Sequence, residues 1–184
     1  MTWPRSGPAP RVPSPAVPEA PTPGSVAPGQ VTLRAYSRAD ASPTLAVFLA
    51  AVTGTASAHY SPEQIAAWSA PAERNLDSWQ AARTRLDTLV AVLDGAIAGF
   101  SDVDAHGYID MMFVAPRFGR RGVAGALLAE LEHRARAAGT AELSVHASLT
   151  ARPFFERHGF LVLEERHPVL RGVHLTNFRM LKPL

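Results

Sequence analysis

Two short stretches hold most of the residues that can do chemistry. Gly119-Arg120-Arg121-Gly122 lies between the apolar run Tyr108 to Val114, closed by Pro116, and a segment whose Ala124, Leu127, Leu128, Leu131, Ala135 and Ala138 keep helical spacing. A strand that turns through glycines directly into a helix offers unpaired backbone N–H groups and the positive helix end to solvent. Gly119, Gly122 and Gly125 allow close backbone approach, and Arg120 and Arg121 add charge, so the turn suits a pyrophosphate. The second stretch is the strand itself, where Asp110 is an acid among apolar neighbours. Period two places Asp110 on one face with Tyr108 and Met112, and Ile109, Met111 and Phe113 on the other. Asp110 is the first candidate for moving a proton, with His106 and Tyr108 as alternative bases or relays; the competing reading for each is a packing or loop residue.

Other chemistries are excluded or disfavoured. There is no cysteine, which removes disulfides, thiolate nucleophiles and cysteine metal sites. The seven histidines show no ligand spacing such as HExxH, so no metal is expected. Glu142 follows Gly122 by twenty residues, where a dinucleotide fold keeps its ribose-binding acid, but the glycines read GxxGxxG instead of GxGxxG. No GK[ST] is present for a P-loop.

Val114-Ala115-Pro116-Arg117-Phe118-Gly119-Arg120-Arg121-Gly122-Val123-Ala124, followed by Leu127 and Leu128, resembles the acetyl-coenzyme A signature of the GNAT acetyltransferases. That signature runs Gln or Arg, two residues, Gly, one residue, then Gly or Ala. Gly122 and Ala124 fill the last two fixed positions; Gly119 replaces the Gln or Arg, which leaves the grip to main-chain amides and to Arg120 or Arg121. Ser148 to Phe160 looks like the family's late helix and its Gly-Phe ending.

The resemblance covers Val31 to Leu184 and implies an α/β (α+β) GNAT fold: a mixed, mostly antiparallel sheet of about six to seven strands, splayed at the cofactor cleft and flanked by about four helices. It implies acetyl-CoA as acetyl donor, with Gly119, Arg120, Arg121, Gly122, Val123 and Ala124 around its pyrophosphate. Pantetheine would lie along Met112, Phe113 and Val114, with Ser148 near its amides. Phe155 aligns where many relatives place a tyrosine that protonates the thiolate; with no proton to give, it becomes a cleft wall, and either another group such as water or Tyr60 takes that task or protonation is not demanding in this enzyme. The implied reaction is direct transfer to the amine of a small molecule in a ternary complex, with Asp110 collecting the amine proton. The alternative is a noncatalytic acetyl-CoA sensor. Relatives build the acceptor pocket from mobile early helices, which here singles out His59 and Tyr60. Trp68 and Trp79 read first as core anchors and second as hints of a planar or apolar acceptor.

The elements that must position these groups follow from pattern. Val31 to Tyr36 alternates as a strand, and Asp40 is a candidate N-cap for a helix over Ser42 to Val52. Pro62 opens a second helix holding Ile65 and Trp68, and Leu76 to Leu86 makes a third. Thr88 to Leu93 and Ala96 to Val103 form a hairpin through Asp94-Gly95, a pair that favours a type I′ turn. After the long helix ending at Gly139 come a strand at Leu143 to Ala147, a short helix at Ala151 to His158, a strand at Phe160 to Glu165 and a last strand at Val173 to Leu181.

Residues 1–29 contain nine of the sixteen prolines and read as a disordered tail before one domain at 30–184. Net charge is only +2 and Lys182 is the single lysine, so no nucleic-acid partner is expected. No run approaches the roughly 20 apolar residues of a membrane span, and no signal peptide is recognisable, so a cytoplasmic monomer or homodimer is expected.

Overall fold

A computed structural model describes residues 29–86 and 88–184; the proline-rich tail expected at 1–29 falls almost wholly outside them. Strand β1 (Thr32–Ala35) leads into α1 (Ala41–Ala50), which continues through a π-helical turn at Ala51–Thr55. Asp40 does not cap α1 with its side chain. Its carboxylate turns back to accept the Ser37 N–H at 2.7 Å and the Arg34 guanidinium at 2.6 and 2.7 Å, so helical turns begin earlier, at Arg38. Helix α2 (Pro62–Ser69) starts with Ser61 and Gln64 in a reciprocal capping box and Pro62 in the first turn. Helix α3 (Leu76–Arg85) is capped by Asn75.

Strands β2 (Leu89–Leu93) and β3 (Ala96–Val103) form the expected hairpin, and Asp94 and Gly95 both take the positive φ that a type I′ turn requires. Strand β4 (Tyr108–Val114) leads into α4 (Val123–Ala137), then β5 (Glu142–Ser148), α5 (Arg152–Arg157) and β6 (Leu161–Arg166). The single last strand expected from Val173 is divided. Strands β7 (Val169–Leu170) and β8 (Val173–His174) make a small separate hairpin, and only β9 (Asn177–Pro183) joins the main sheet.

The main sheet has seven strands in the order β1-β2-β3-β4-β5-β9-β6, antiparallel except where β4 meets β5. That parallel junction holds two pairs, Tyr108↔Ser144 and Ile109↔Val145, after which the strands diverge. Among the described residues five α-helices flank the sheet. Neighbouring residues of β3 show how the layers divide: Phe100 meets Trp79 of α3, whereas a Cβ at Gly99 would touch Val123 of α4. Leu127, Leu128 and Leu131 bury the apolar stripe of α4 on that second face. The continuous helical run Arg38–Ala58 has the length and hydropathy of a membrane span, 21 residues at 1.3, contrary to the sequence expectation; its Val47, Phe48 and Val52 lie in the core.

Candidate active site

A register shift decides which side chains of β4 meet. Val103 pairs with Ile109 and Asp102 with Met111, so Asp110 is the extra residue of a β-bulge. Cross-strand partners share a face, and Asp102 and Val103 are consecutive, so Ile109 and Met111 point to opposite sides. Simple alternation had put them together. Met111 and Phe113 therefore share the α1 and α3 face with Tyr108 and Asp110, while Ile109 and Met112 lie on the α4 face.

The bulge aims Asp110 at an ion pair. Arg83 of α3, only 3% exposed, reaches Asp102 at 3.0 Å through Nη1 and Asp110 at 3.3 Å through Nη2, and also contacts the Met111 sulfur. Asp102 is fully buried and accepts the Met111 N–H at 2.9 Å. Burial pushes its carboxyl up to about 6, with Arg83 opposing and Asp110 adding to the rise. Asp110 keeps 43% of its side chain exposed, so the acid that faces the cleft is backed by a buried cation and a second, buried acid.

Beside it, the Tyr108 hydroxyl lies 3.2 Å from Nδ1 of His146, whose Nε2 is 2.9 Å from an Arg166 nitrogen. The same Arg166 nitrogen lies 3.3 Å from Nδ1, so the guanidinium, which can only donate, faces both ring nitrogens. Burial, then Arg166 and Arg179, lower the His146 pKa and keep the ring neutral near pH 7; burial, then Asp110, raise that of Tyr108.

These groups line a cleft of about 420 Å³ shared with Met112, Phe113, Ser148, Phe155 and Tyr60. Tyr60 is buried, and its hydroxyl donates to the Thr176 carbonyl at 2.5 Å and accepts the Leu149 N–H at 2.9 Å, bracing α2 against the end of β5. Burial raises its pKa, so it serves as a brace more readily than as a proton donor. Ser148 Oγ accepts the Ala151 N–H at 3.1 Å at the head of α5. Phe155 is buried against Phe154 and Phe160. Trp79 is a core anchor whose indole N–H donates to Thr44, whereas Trp68 reaches the cleft and meets Tyr60 and Phe113. His106 and His59 stand apart: His106 is exposed in the turn before β4, and His59 is exposed beside the Thr150 hydroxyl.

At the outer end of the splayed strand, Gly122 caps α4 at φ 81° with no side chain to offer, and the first backbone bond of the helix is Ala126 N–H to the Gly122 carbonyl. Helix geometry leaves the N–H groups of Val123, Ala124 and Gly125 for an outside acceptor. Gly119, Arg120 and Arg121 are exposed around them, with Arg120 in the left-handed region at φ 59°. Arg121 is drawn to Asp94 of the hairpin turn at 2.9 Å, which leaves Arg120 the less engaged of the two. An uncapped helix end beyond a splayed strand fits a pyrophosphate joined to an extended arm.

The sequence model described as Acetyltransferase (GNAT) domain matches residues 56–182. The chain belongs to the GNAT acetyltransferase family. This acetyltransferase is 41% identical over 150 residues, 82% of this chain and 94% of the relative, to an uncharacterised N-acetyltransferase, YafP, of Escherichia coli K12. It also resembles the solved GCN5-related N-acetyltransferase of Rhodopseudomonas palustris (Aminotransferase, Class-II), with a TM-score of 0.81, 32% identity, and 88% and 100% of the two chains covered. The PaiA N-acetyltransferase of Thermoplasma acidophilum, solved with coenzyme A, shares the fold at a TM-score of 0.69 and 19% identity, over 84% and 99% of the chains. YncA of Salmonella typhimurium, a putative acetyltransferase by its description, was solved with acetyl-CoA; its TM-score is 0.62 at 19% identity, over 84% and 94%. The acetyltransferase uses acetyl-CoA as its co-substrate. Arg83, Asp102, His146 and Arg166 were missed in the sequence because nothing local marks them; a buried-looking acid in β3 was the one available hint.

Proposed function

We propose that this acetyltransferase passes the acetyl group of acetyl-CoA directly to the amine of a small molecule held in the same cleft. The observation that carries the reading is the placement of Asp110 at the bulge, where the strand that would line the cofactor turns its acid toward an aromatic-walled space. In the reaction the amine nitrogen bonds to the thioester carbonyl carbon, the carbon–sulfur bond breaks, and coenzyme A leaves as thiolate. Asp110 attracts the ammonium form and takes its proton, directly or through the Tyr108 hydroxyl. Water relays to the thiolate the second N–H proton, which the nitrogen releases once it is bonded to carbon, since Phe155 has no proton to give and the Tyr60 proton is bound to a carbonyl. Main-chain amides of α4 and Arg120 hold the pyrophosphate, and Met112, Phe113, Val114 and Ser148 flank the pantetheine. In the same reading residues 30–184 form the catalytic domain, a cytoplasmic monomer or homodimer, and residues 1–29 are a tail outside it.

A panel of alkyl and aryl amines, followed by release of free thiol, tests this reading. Asp110→Asn is expected to keep acetyl-CoA affinity while losing about 10²–10⁴ in kcat on alkylamines, and less on arylamines already neutral at assay pH. Wild-type turnover by the variant across the panel would remove Asp110 from the proton path.

A further inference from the structure

The cleft holds one charge that this chemistry leaves idle. Arg74 follows α2 and lines the cleft, with its guanidinium carbon 4.6 Å over the Phe48 ring. Its Nε donates to the Ser69 carbonyl at 3.1 Å and its Nη2 to the Trp68 carbonyl at 2.8 Å. Those bonds fix the plane of the group and leave Nη1 uncommitted. Among the described residues Arg74 makes no ion pair. Its neighbour Glu73 is taken by Arg171 at 2.7 Å, and burial, then Arg171, pull the Arg74 pKa down. A partly desolvated guanidinium beside a second cation, eased by the aromatic face beneath it and by the coulombic pull of Glu73, still gains from a ligand that supplies the opposite charge.

The space between this cation and Asp110 is apolar. Phe113 lies three residues along β4 from Asp110, about 10 Å of strand, and its ring meets Phe48 at 5.0 Å and Trp68 at 6.3 Å. The cleft thus has an anionic end, an aromatic waist and a cationic end.

Building on the amine-acetylation reading, we infer that the acceptor carries a carboxylate as well as its amine, separated by an aromatic or apolar body, and that Arg74 binds the carboxylate. An amine at Asp110 and an anion at Arg74 would sit on either side of the aromatic waist of Phe113, Phe48 and Trp68. Such a substrate neutralises both ends of the cleft at once, and a neutral analogue leaves the Arg74 charge unmatched.

The test uses the full chain and two matched pairs of probes. Turnover is compared for para-aminophenylbutyrate and its primary amide, and calorimetric binding to the coenzyme A-saturated protein for phenylbutyrate and phenylbutanol. The wild type should favour the acid in both pairs by about tenfold, through KM in the turnover pair, with the preference shrinking in high salt. Arg74→Gln should erase the preference with kcat and acetyl-CoA affinity unchanged, and Arg74→Lys should restore part of it. If neither arylamine is acetylated but phenylbutyrate still binds selectively and Arg74→Gln abolishes that selectivity, the anion site stands and the amine reading falls. Equal binding of acid and alcohol to the wild type overturns the anion site without need of any variant. Loss of acetyl-CoA affinity in Arg74→Gln also overturns it, because Arg74 would then serve the cofactor.

Discussion

The two arms of the cleft are built on different principles. The proposed cofactor arm is nearly contiguous in sequence, running from Met112 to Ala124, and relies on backbone: a strand that diverges from its neighbour, a glycine at positive φ, and the N–H groups at the start of α4. The proposed acceptor arm draws Phe48, Trp68, Arg74, Arg83, Asp102, Asp110 and His146 from three helices, three strands and the segment between α2 and α3, and relies on side chains and buried charge. A backbone device tolerates changes of side chain, so the first arm can be shared by a whole family. A side-chain device changes with each residue, so the second is where members can differ.

This contrast is breakable. Replacing Arg83 by Met should have the largest effect, because it strands the buried Asp102 carboxylate: a loss of about 3–5 kcal/mol in denaturant unfolding is expected. A loss no larger than that of an exposed ion pair would mean the acceptor arm does not depend on its buried charges.

A smaller effect appears in the pH dependence of stability. The Asp102 carboxyl is raised from 3.8 to about 6 in the fold, so the folded protein binds the extra proton between those values and the unfolded chain does not. The resulting stability is complete below about pH 4 and is lost as pH rises through 6, by about 3 kcal/mol. The wild type should therefore lose stability relative to Asp102→Asn over that window in paired thermal melts. A flat difference would show that Arg83 fully compensates burial.

The cofactor arm should respond least to side-chain changes. Arg120→Glu is expected to weaken acetyl-CoA binding by about tenfold at low salt, with the effect fading as screening increases. Arg121→Glu should cost about a third of that factor, because its guanidinium already neutralises Asp94. Calorimetry across a salt series checks both, and a larger effect at Arg121 would reverse the assignment.

The same contrast governs what could be read from the sequence. The hairpin at Asp94-Gly95, the helix from Val123 and the strand before it announce themselves through turn chemistry and periodicity, which are local. The bulge at Asp110 does not, since it is fixed by the register with β3, and alternation alone placed Met111 and Met112 on the wrong sides. Arg83 looks like an ordinary helix-end arginine until α3 is laid over β3. His146 sits beside Tyr108 only because β4 and β5 pair there after a helix has intervened. Asp40 misled because an acid before an apolar helix has the pattern of a cap, whereas Arg34 and Ser37 compete for its oxygens.

The two residue pairs that join β4 to β5 make the sheet a lever. Beyond Ile109, β4 runs on to Val114, five residues or roughly 17 Å, and beyond Val145, β5 runs on to Ser148, so a rotation of one degree at the junction would move the tip of the longer arm by about 0.3 Å. A few degrees would be felt as a methylene's difference in reach between the helix end proposed to hold a phosphate and the acid proposed to receive an amine. The sheet can thus act as its own calliper, set by how firmly two pairs of residues grip.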